Sequence, residues 1–218
     1  MISTAASELT STAGTAIVVI LSIAFLLAEQ GSFHKELSAL ISDPQQQLAT
    51  RKTLDRVATN IRSYIWLQTL LSILAGVVSY IILKIVGVEL ASFWAVMIFF
   101  LNYIPYIGAI IGTVFPTILT LIQFGSLIPL IIVGGSMAAV HFFIGSVLEP
   151  WLYGRSLRLS PLIILITIAF WVSMWGIIGM IISVPITVII MIICEAFPKT
   201  RPIAIILSKD GDIETLSN

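Results

Sequence analysis

Charged residues are scarce in this sequence. Asp, Glu, Lys and Arg make up 10% of its 218 residues, whereas a soluble globular domain carries about 25%. Hydrophobic residues account for 58% and the mean hydropathy is +1.09. This composition excludes an ordinary soluble domain and predicts a polytopic membrane protein.

Cysteine and net charge are lacking as well. Cys194 is the only cysteine, which excludes an intrachain disulfide. Eleven basic residues balance eleven acidic ones, so the charge gives no indication of a nucleic-acid partner, and none is predicted. The first four residues lack the basic region of a signal peptide, so we expect the apolar run that follows to remain in the membrane as a helix.

Motifs for catalysis and cofactor binding are also missing. The sequence has no HExxH, no Gly-rich phosphate loop and no paired intramembrane aspartate. Ser136 and His141 are five residues apart and would not face each other on one helix. We therefore predict no enzyme, no catalytic residue, no metal and no cofactor, and any transport would depend on gradients or on partner proteins.

The feature that organises the chain is an interruption of a hydrophobic run from Asn102 to Gly108. The apolar halves, 91–101 and 109–124, are each too short to cross a bilayer core of roughly 30 Å. Pro105 removes a backbone donor and Gly108 permits a bend, so the helix should stop or kink. Freed backbone groups need partners in the protein or in a wet cavity, which indicates a binding region. The alternative is a proline kink that only shapes packing.

A second broken stretch, 162–194, is too long for one span and contains breakers at Trp175, Gly176, Gly179 and Pro185. Its layout resembles the first: a short apolar half, an interruption by aromatic residues and glycine, and a second half with an internal proline. The two stretches form a weak internal repeat, although glycine and proline are common in membrane helices anyway.

The predicted fold class is all-α: a polytopic helical membrane protein with two interrupted, re-entrant or broken, helical hairpins in a single transmembrane domain. In chain order the segments are a transmembrane helix at 12–28, an amphipathic cytoplasmic-side helix at 44–62, a transmembrane helix at 63–85, a broken hairpin at 90–124, a transmembrane helix at 127–148, a broken hairpin at 162–194 and a cytoplasmic tail at 197–218. A solvated connector helix is the alternative for 44–62.

The basic residues predict the orientation. If intact helices cross once and broken hairpins return to the face they entered from, all basic residues except Lys84 share one face. The positive-inside rule makes that face cytoplasmic, together with the C-terminus. Met1 would then lie outside, which a missing upstream membrane region would explain.

Six polar residues lie in apolar surroundings, where membrane proteins keep functional groups: Gln68, Asn102, Gln123, His141, Glu149 and Glu195. Asn102 would cap a half-helix or line a solute path. His141 and Glu149 would face one cavity and exchange a proton, or His141 would only pack between helices. Glu149 and Arg155 would form an ion pair that holds a loop, or a gate. Gly108 and Gly112 form a small-xxx-small pair typical of close helix packing.

Three separated motifs then suggest a family: Leu101 to Gly108; Leu148-Glu149-Pro150 with Gly154 to Leu157 and Leu159 to Pro161; and Trp175 to Met180 with Val184-Pro185. In these, and in the tail 197–204, the sequence resembles the autoinducer-2 exporter family of bacterial membrane proteins, from the first helix to about Ala204. Members of that family usually begin with further membrane segments, which this sequence lacks.

The resemblance implies a multi-pass transporter of the bacterial inner membrane that exports a small furanosyl signalling molecule; other members are assigned to sodium/proton antiport. The alternatives are therefore an antiporter or a non-transporting fragment or scaffold. Expected partners are a small solute or cation, the lipid bilayer and a second copy in a homo-oligomer. The predicted site residues are, for the substrate path, Asn102, Pro105, Tyr106, Gly108, Trp175, Gly176 and Gly179, and for gating or ion coupling, Glu149, His141 and Arg155.

Overall fold

The computed structural model describes residues 21–22, 24–25, 28–29, 43–153 and 159–209. The chain divides into two compact units, residues 1–52 and 53–218, and the site described below lies in the second. The helices are α1 (Pro44–Val86), α2 (Ala91–Leu101), α3 (Ile107–Phe124), α4 (Leu127–Phe143), a π-helical turn (Ile144–Leu148), α5 (Glu149–Tyr153), α6 (Pro161–Ala196) and α7 (Arg201–Leu207).

The all-helical class is confirmed. Among the described residues, four helical stretches are long and apolar enough to cross a membrane: Pro44–Val86, Ile107–Phe124, Leu127–Tyr153 and Pro161–Ala196. The predicted helix at 12–28 lies mostly outside the described residues, as do Arg155 and residues 210–218 of the predicted tail. Part of that tail, from Arg201 to Leu207, is helical.

Helix α1 runs without interruption through the predicted boundary between an amphipathic segment and a transmembrane helix. Its 43 residues exceed the roughly 20 that cross a bilayer core. Gly76 sets its approach to α2, because a Cβ there would lie 2.9 Å from the carbonyl oxygen of Ala95. The close contact brings the polar residues of α1 beside the end of α2.

Between α2 and α3 the backbone leaves the helix within the predicted interruption. Tyr106 has φ +62°, a conformation that non-glycine residues seldom adopt. The Gly108 N–H donates to the carbonyl of Ile104 at 2.9 Å. A Cβ on Gly108 would overlap the carbonyl oxygen of Leu101, so only glycine fits where α3 starts beside the end of α2.

Helix α6 contains a second break. Gly176 has φ +61° and ψ −140°, a combination open essentially to glycine alone. A Cβ on Gly179 would overlap the carbonyl oxygen of Trp171, just as one on Gly108 would overlap that of Leu101. At both breaks, therefore, a glycine packs against the carbonyl of a residue that precedes the break. That each stretch returns to the face it entered from remains a prediction.

The helical stretch that begins with α4 does not end at Leu148, where a proline two residues later suggested an end. A π-helical turn carries the helix on to Tyr153, and within it the Glu149 N–H donates to the carbonyl of Ile144. An i→i−5 bond of this kind inserts one extra residue into the helix. The helix thus passes Pro150 without stopping.

Two apolar clusters surround these elements. The first joins α1, α2 and α4 through fully buried Leu71, Ile98 and Met137. The second joins α6, α7 and the start of the second unit through residues such as Met191 and Ala204. Within the described residues, the one β-bridge pairs Leu159 with Ser208 and fixes α7 against the beginning of α6.

Candidate functional site

A cavity of about 440 Å³ lies where α1, the first break with the start of α3, the end of α4 and both halves of α6 meet. That volume is typical of a small-molecule site. Most of its wall is apolar, and its polar side chains come from three segments that are distant in sequence: Tyr64, Gln68, Asn102, Tyr106, His141, Ser146, Glu149 and Tyr153.

The cavity brings together residues that the sequence predicted for two different roles. Asn102, Pro105 and Tyr106, predicted for the substrate path, lie in one wall, and His141 and Glu149, predicted for coupling, lie in another. One cavity therefore contains both predicted sets in part.

Four of the predicted path residues do not line this cavity. Gly108 packs against the carbonyl of Leu101, and Gly179 packs against that of Trp171. Trp175 and Gly176 lie at the second break, with Trp175 stacked on Trp171 at a centroid distance of 4.9 Å. Their contribution to a solute path remains a prediction, and so does that of Arg155, which lies outside the described residues.

Asn102 is fixed at the break by bonds to two helices. Its backbone N–H caps α2 by donating to the carbonyl of Ile98 at 2.9 Å. Its side-chain amide donates to Ser72 Oγ at 3.1 Å. Its own carbonyl, freed by the end of the helix, accepts a 2.6 Å bond from Gln68 Nε2. The break is thus satisfied by protein, as apolar surroundings demand.

Gln68 and Tyr153 complete this network. Gln68 was one of the six polar residues noted in the sequence but was not predicted as a site residue, and Tyr153 was not singled out. Tyr153 donates to Gln68 Oε1 at 2.6 Å, and its ring stacks on Tyr64 with centroids 5.9 Å apart. Gln68 is 5% exposed. A lone glutamine in an apolar run was the available signal, whereas a tyrosine at the end of a membrane helix carries none.

His141 directs an unpartnered nitrogen into the buried interior. Its side chain is 9% exposed, and Nδ1 lies 3.0 Å from the carbonyl of Met137 and 3.3 Å from Thr113 Oγ1. A carbonyl accepts only, so Nδ1 carries the proton and a neutral ring keeps Nε2 as an acceptor. Nε2 is buried and has no hydrogen-bond partner. Nε2 faces α3, where a Cβ built on Gly112 would lie 3.3 Å from it.

Glu149 is half-buried and has no partner among the described residues. Within that part of the chain the only ion pair joins Arg56 to Glu195 at 3.3 Å. The described wall of the cavity contains no Lys or Arg. Because an anion would meet an uncompensated carboxylate, the cavity suits a neutral or cationic molecule.

The sequence model of the family described as AI-2E family transporter matches residues 1–199 of the chain. The chain belongs to this family. It is therefore a multi-pass membrane protein of a transporter family, and the resemblance inferred from its three motifs is confirmed.

Named relatives agree with this membership. YhhT of Escherichia coli K12, which has a provisional transport-protein name, is 32% identical over 191 residues, covering 88% of this chain and 54% of YhhT. A similarly named protein of Haemophilus influenzae is 33% identical over 198 residues, covering 90% of this chain and 56% of that protein. TqsA of E. coli K12, named an AI-2 transport protein, is 29% identical over 202 residues, covering 93% and 58%. The chain spans little more than half the length of these relatives.

Proposed function

We propose that this chain forms the solute-binding part of an inner-membrane exporter for a small, neutral, polar molecule of the autoinducer-2 type. The observation that carries the proposal is that His141 and Glu149, whose carboxylate has no partner among the described residues, both line one cavity beside a broken helix. Buried polar groups seldom stay unsatisfied in the absence of a ligand or water.

The chemistry of the wall supports a hydroxylated solute. A carboxylate accepts hydrogen bonds from hydroxyl groups, and a neutral His141 accepts at Nε2. Tyr106 contributes a phenol that both donates and accepts. Apolar residues such as Ile104 and Ile164 would cover the carbon skeleton. A hydroxylated ring would thus satisfy the free polar atoms and bury its apolar faces.

Membership of the family supports transport as the activity, and the name of TqsA supports this class of solute. We further propose that the C-terminus is cytoplasmic, because the described basic residues, Lys84 excepted, would share that side under the predicted topology. Gly108 and Gly112 pack within the chain, so self-association would use other surfaces.

Sodium/proton antiport is the second candidate. It is favoured by the same Glu149, because a carboxylate in an apolar wall, without a partner among the described residues, binds a proton or a cation. His141, on the same helical stretch, would accept the exchanged proton. In this alternative no hydroxylated solute is needed, and flux would follow the sodium and proton gradients.

Flux through the purified chain in sealed liposomes separates the candidates. One set of liposomes receives labelled autoinducer-2, and a second contains a pH-sensitive dye under a sodium gradient. The exporter predicts solute flux without proton movement, which Asn102→Ala reduces. The antiporter predicts sodium-driven proton movement, which Glu149→Gln abolishes and Glu89→Gln, a carboxylate outside the cavity, leaves unchanged.

Silence in both assays, beside an active relative of full length, would contradict both transport proposals. The chain would then be a non-transporting portion or scaffold of a longer protein. A solute signal equal in Asn102→Ala and in the unchanged chain would also contradict the exporter, because the proposed path would not carry the solute.

A further inference from the structure

His141, Glu149 and Tyr153 all line the cavity, although their spacing is wrong for an α-helix. Glu149 and Tyr153 lie 8 and 12 residues beyond His141. At about 100° per residue, an α-helix would turn them about 80° and 120° away from the face of His141. A regular helix could not direct all three into one cavity.

The π-helical turn Ile144–Leu148 resolves this conflict. Because it accommodates one extra residue, the effective spacings become 7 and 11. Those spacings place Glu149 and Tyr153 within about 20° of the face of His141. The turn therefore decides which side chains form this wall of the cavity.

Pro150 gives the physical reason for the turn. In an α-helix its ring would clash with the carbonyl of Ser146, four residues earlier, and it has no N–H to donate. A wider preceding turn removes the clash. The turn also has room to widen, because Gly145, Ser146 and Val147 are exposed and nothing lies within 4 Å of a Cβ built on Gly145.

We propose that Pro150 is a positioning residue, which maintains the π-helical turn and so keeps Glu149 and Tyr153 in the cavity wall. Pro150 does not line the cavity itself. It acts through the register of the helix beyond it. That the cavity binds solute rests on the function proposed above, but the geometric part of this inference does not.

The geometric part is tested by measuring the distance between two spin labels. The labels are attached to exposed residues on either side of the turn, Ile132→Cys and Trp151→Cys, in a Cys194→Ser background. With the π turn the labels share a helix face, about 27 Å apart. Pro150→Ala should convert the turn to α-helix, rotate the labels about 100° apart and lengthen the distance. Deleting Ser146 from Pro150→Ala removes the extra residue and should restore the original distance.

Binding of labelled autoinducer-2 to the same proteins in lipid nanodiscs tests the functional part. We expect Pro150→Ala to weaken binding at least tenfold and the added deletion of Ser146 to restore it. If Pro150→Ala only disturbed the fold, a second change that shortens the helix by one residue would not restore binding. Glu149→Gln serves as the matched control, because deletion of Ser146 should not rescue it.

An unchanged label distance in Pro150→Ala, or no recovery on deletion of Ser146 in a folded protein, overturns the proposal. If that deletion does not yield folded protein, deletion of Gly145 makes the same register change and decides the question. Absence of binding by the unaltered chain would contradict the proposed function instead, while the label distances still decide the role of Pro150.

Discussion

The Tyr153 hydroxyl donates a 2.6 Å hydrogen bond to Gln68 Oε1, across 85 positions of sequence. The same glutamine donates through Nε2 to the carbonyl of Asn102, also at 2.6 Å. One side chain thus connects the end of the α4–α5 helix to the broken end of α2. The cavity lies between these elements, and the glutamine that connects them is part of its wall.

Gln68→Leu should therefore destabilise the protein strongly. It leaves the Asn102 carbonyl and the Tyr153 hydroxyl, both on partly buried residues, without these partners, at a cost of about 2–4 kcal/mol. Unfolding in detergent, followed by circular dichroism, measures the loss. Tyr153→Phe removes only one of the two bonds and should cost about 1 kcal/mol. Equal losses in the two variants would contradict the bridging role.

Gly108→Ala and Gly179→Ala should each prevent normal folding. The added Cβ would overlap a backbone carbonyl oxygen, which cannot move aside as the end of a flexible side chain could. We expect a loss of more than about 3 kcal/mol, read as failure to elute as a single species by size exclusion. Gly135→Ala is the matched control, since nothing lies within 4 Å of its Cβ, and it should be neutral or stabilising by about 0.5–1 kcal/mol. A normal yield of Gly108→Ala or of Gly179→Ala would contradict the close packing of these glycines against the carbonyls.

Gly112→Ala should weaken solute binding while leaving the fold intact. The new Cβ would lie 3.3 Å from His141 Nε2 and 3.2 Å from Ile98 Cγ1. The imidazole would have to shift away from its present position. Losing one solute hydrogen bond there predicts an affinity lower by roughly three- to tenfold, measured by titration with labelled autoinducer-2. An unchanged affinity would show that Nε2 does not contact the solute.

Removal of the Arg56–Glu195 ion pair should have little effect on stability. The Arg56 side chain is 33% exposed, so solvent screens part of its attraction to Glu195, which is 11% exposed. Glu195→Gln is expected to cost about 0.5 kcal/mol or less, and the difference should shrink further at high salt. Thermal unfolding at two salt concentrations checks both points. A loss comparable to that of Gln68→Leu would mean that the pair contributes much more than its exposure suggests.

Local chemistry made the helical class and the positions of the breaks predictable. Pro105 and Gly108 interrupt an apolar run in which helix is otherwise the default, and Gly176 marks the second break in the same way. The helix end predicted near Leu148 illustrates the limit of this reasoning. Proline usually ends a helix, but here a π-helical turn makes room for the proline ring. No sequence pattern distinguishes a helix that ends from one that continues in this way.

The sequence by itself thus determined that this is a helical membrane protein of a transporter family, because composition and local motifs are carried by residues that are neighbours in the chain. The tertiary structure alone decided which polar groups meet. Gln68 contacts partners 34 and 85 positions away, and Glu149 reaches the cavity of His141 only through one extra residue in a turn. Contacts of that range depend on packing and helix register, which no short pattern specifies.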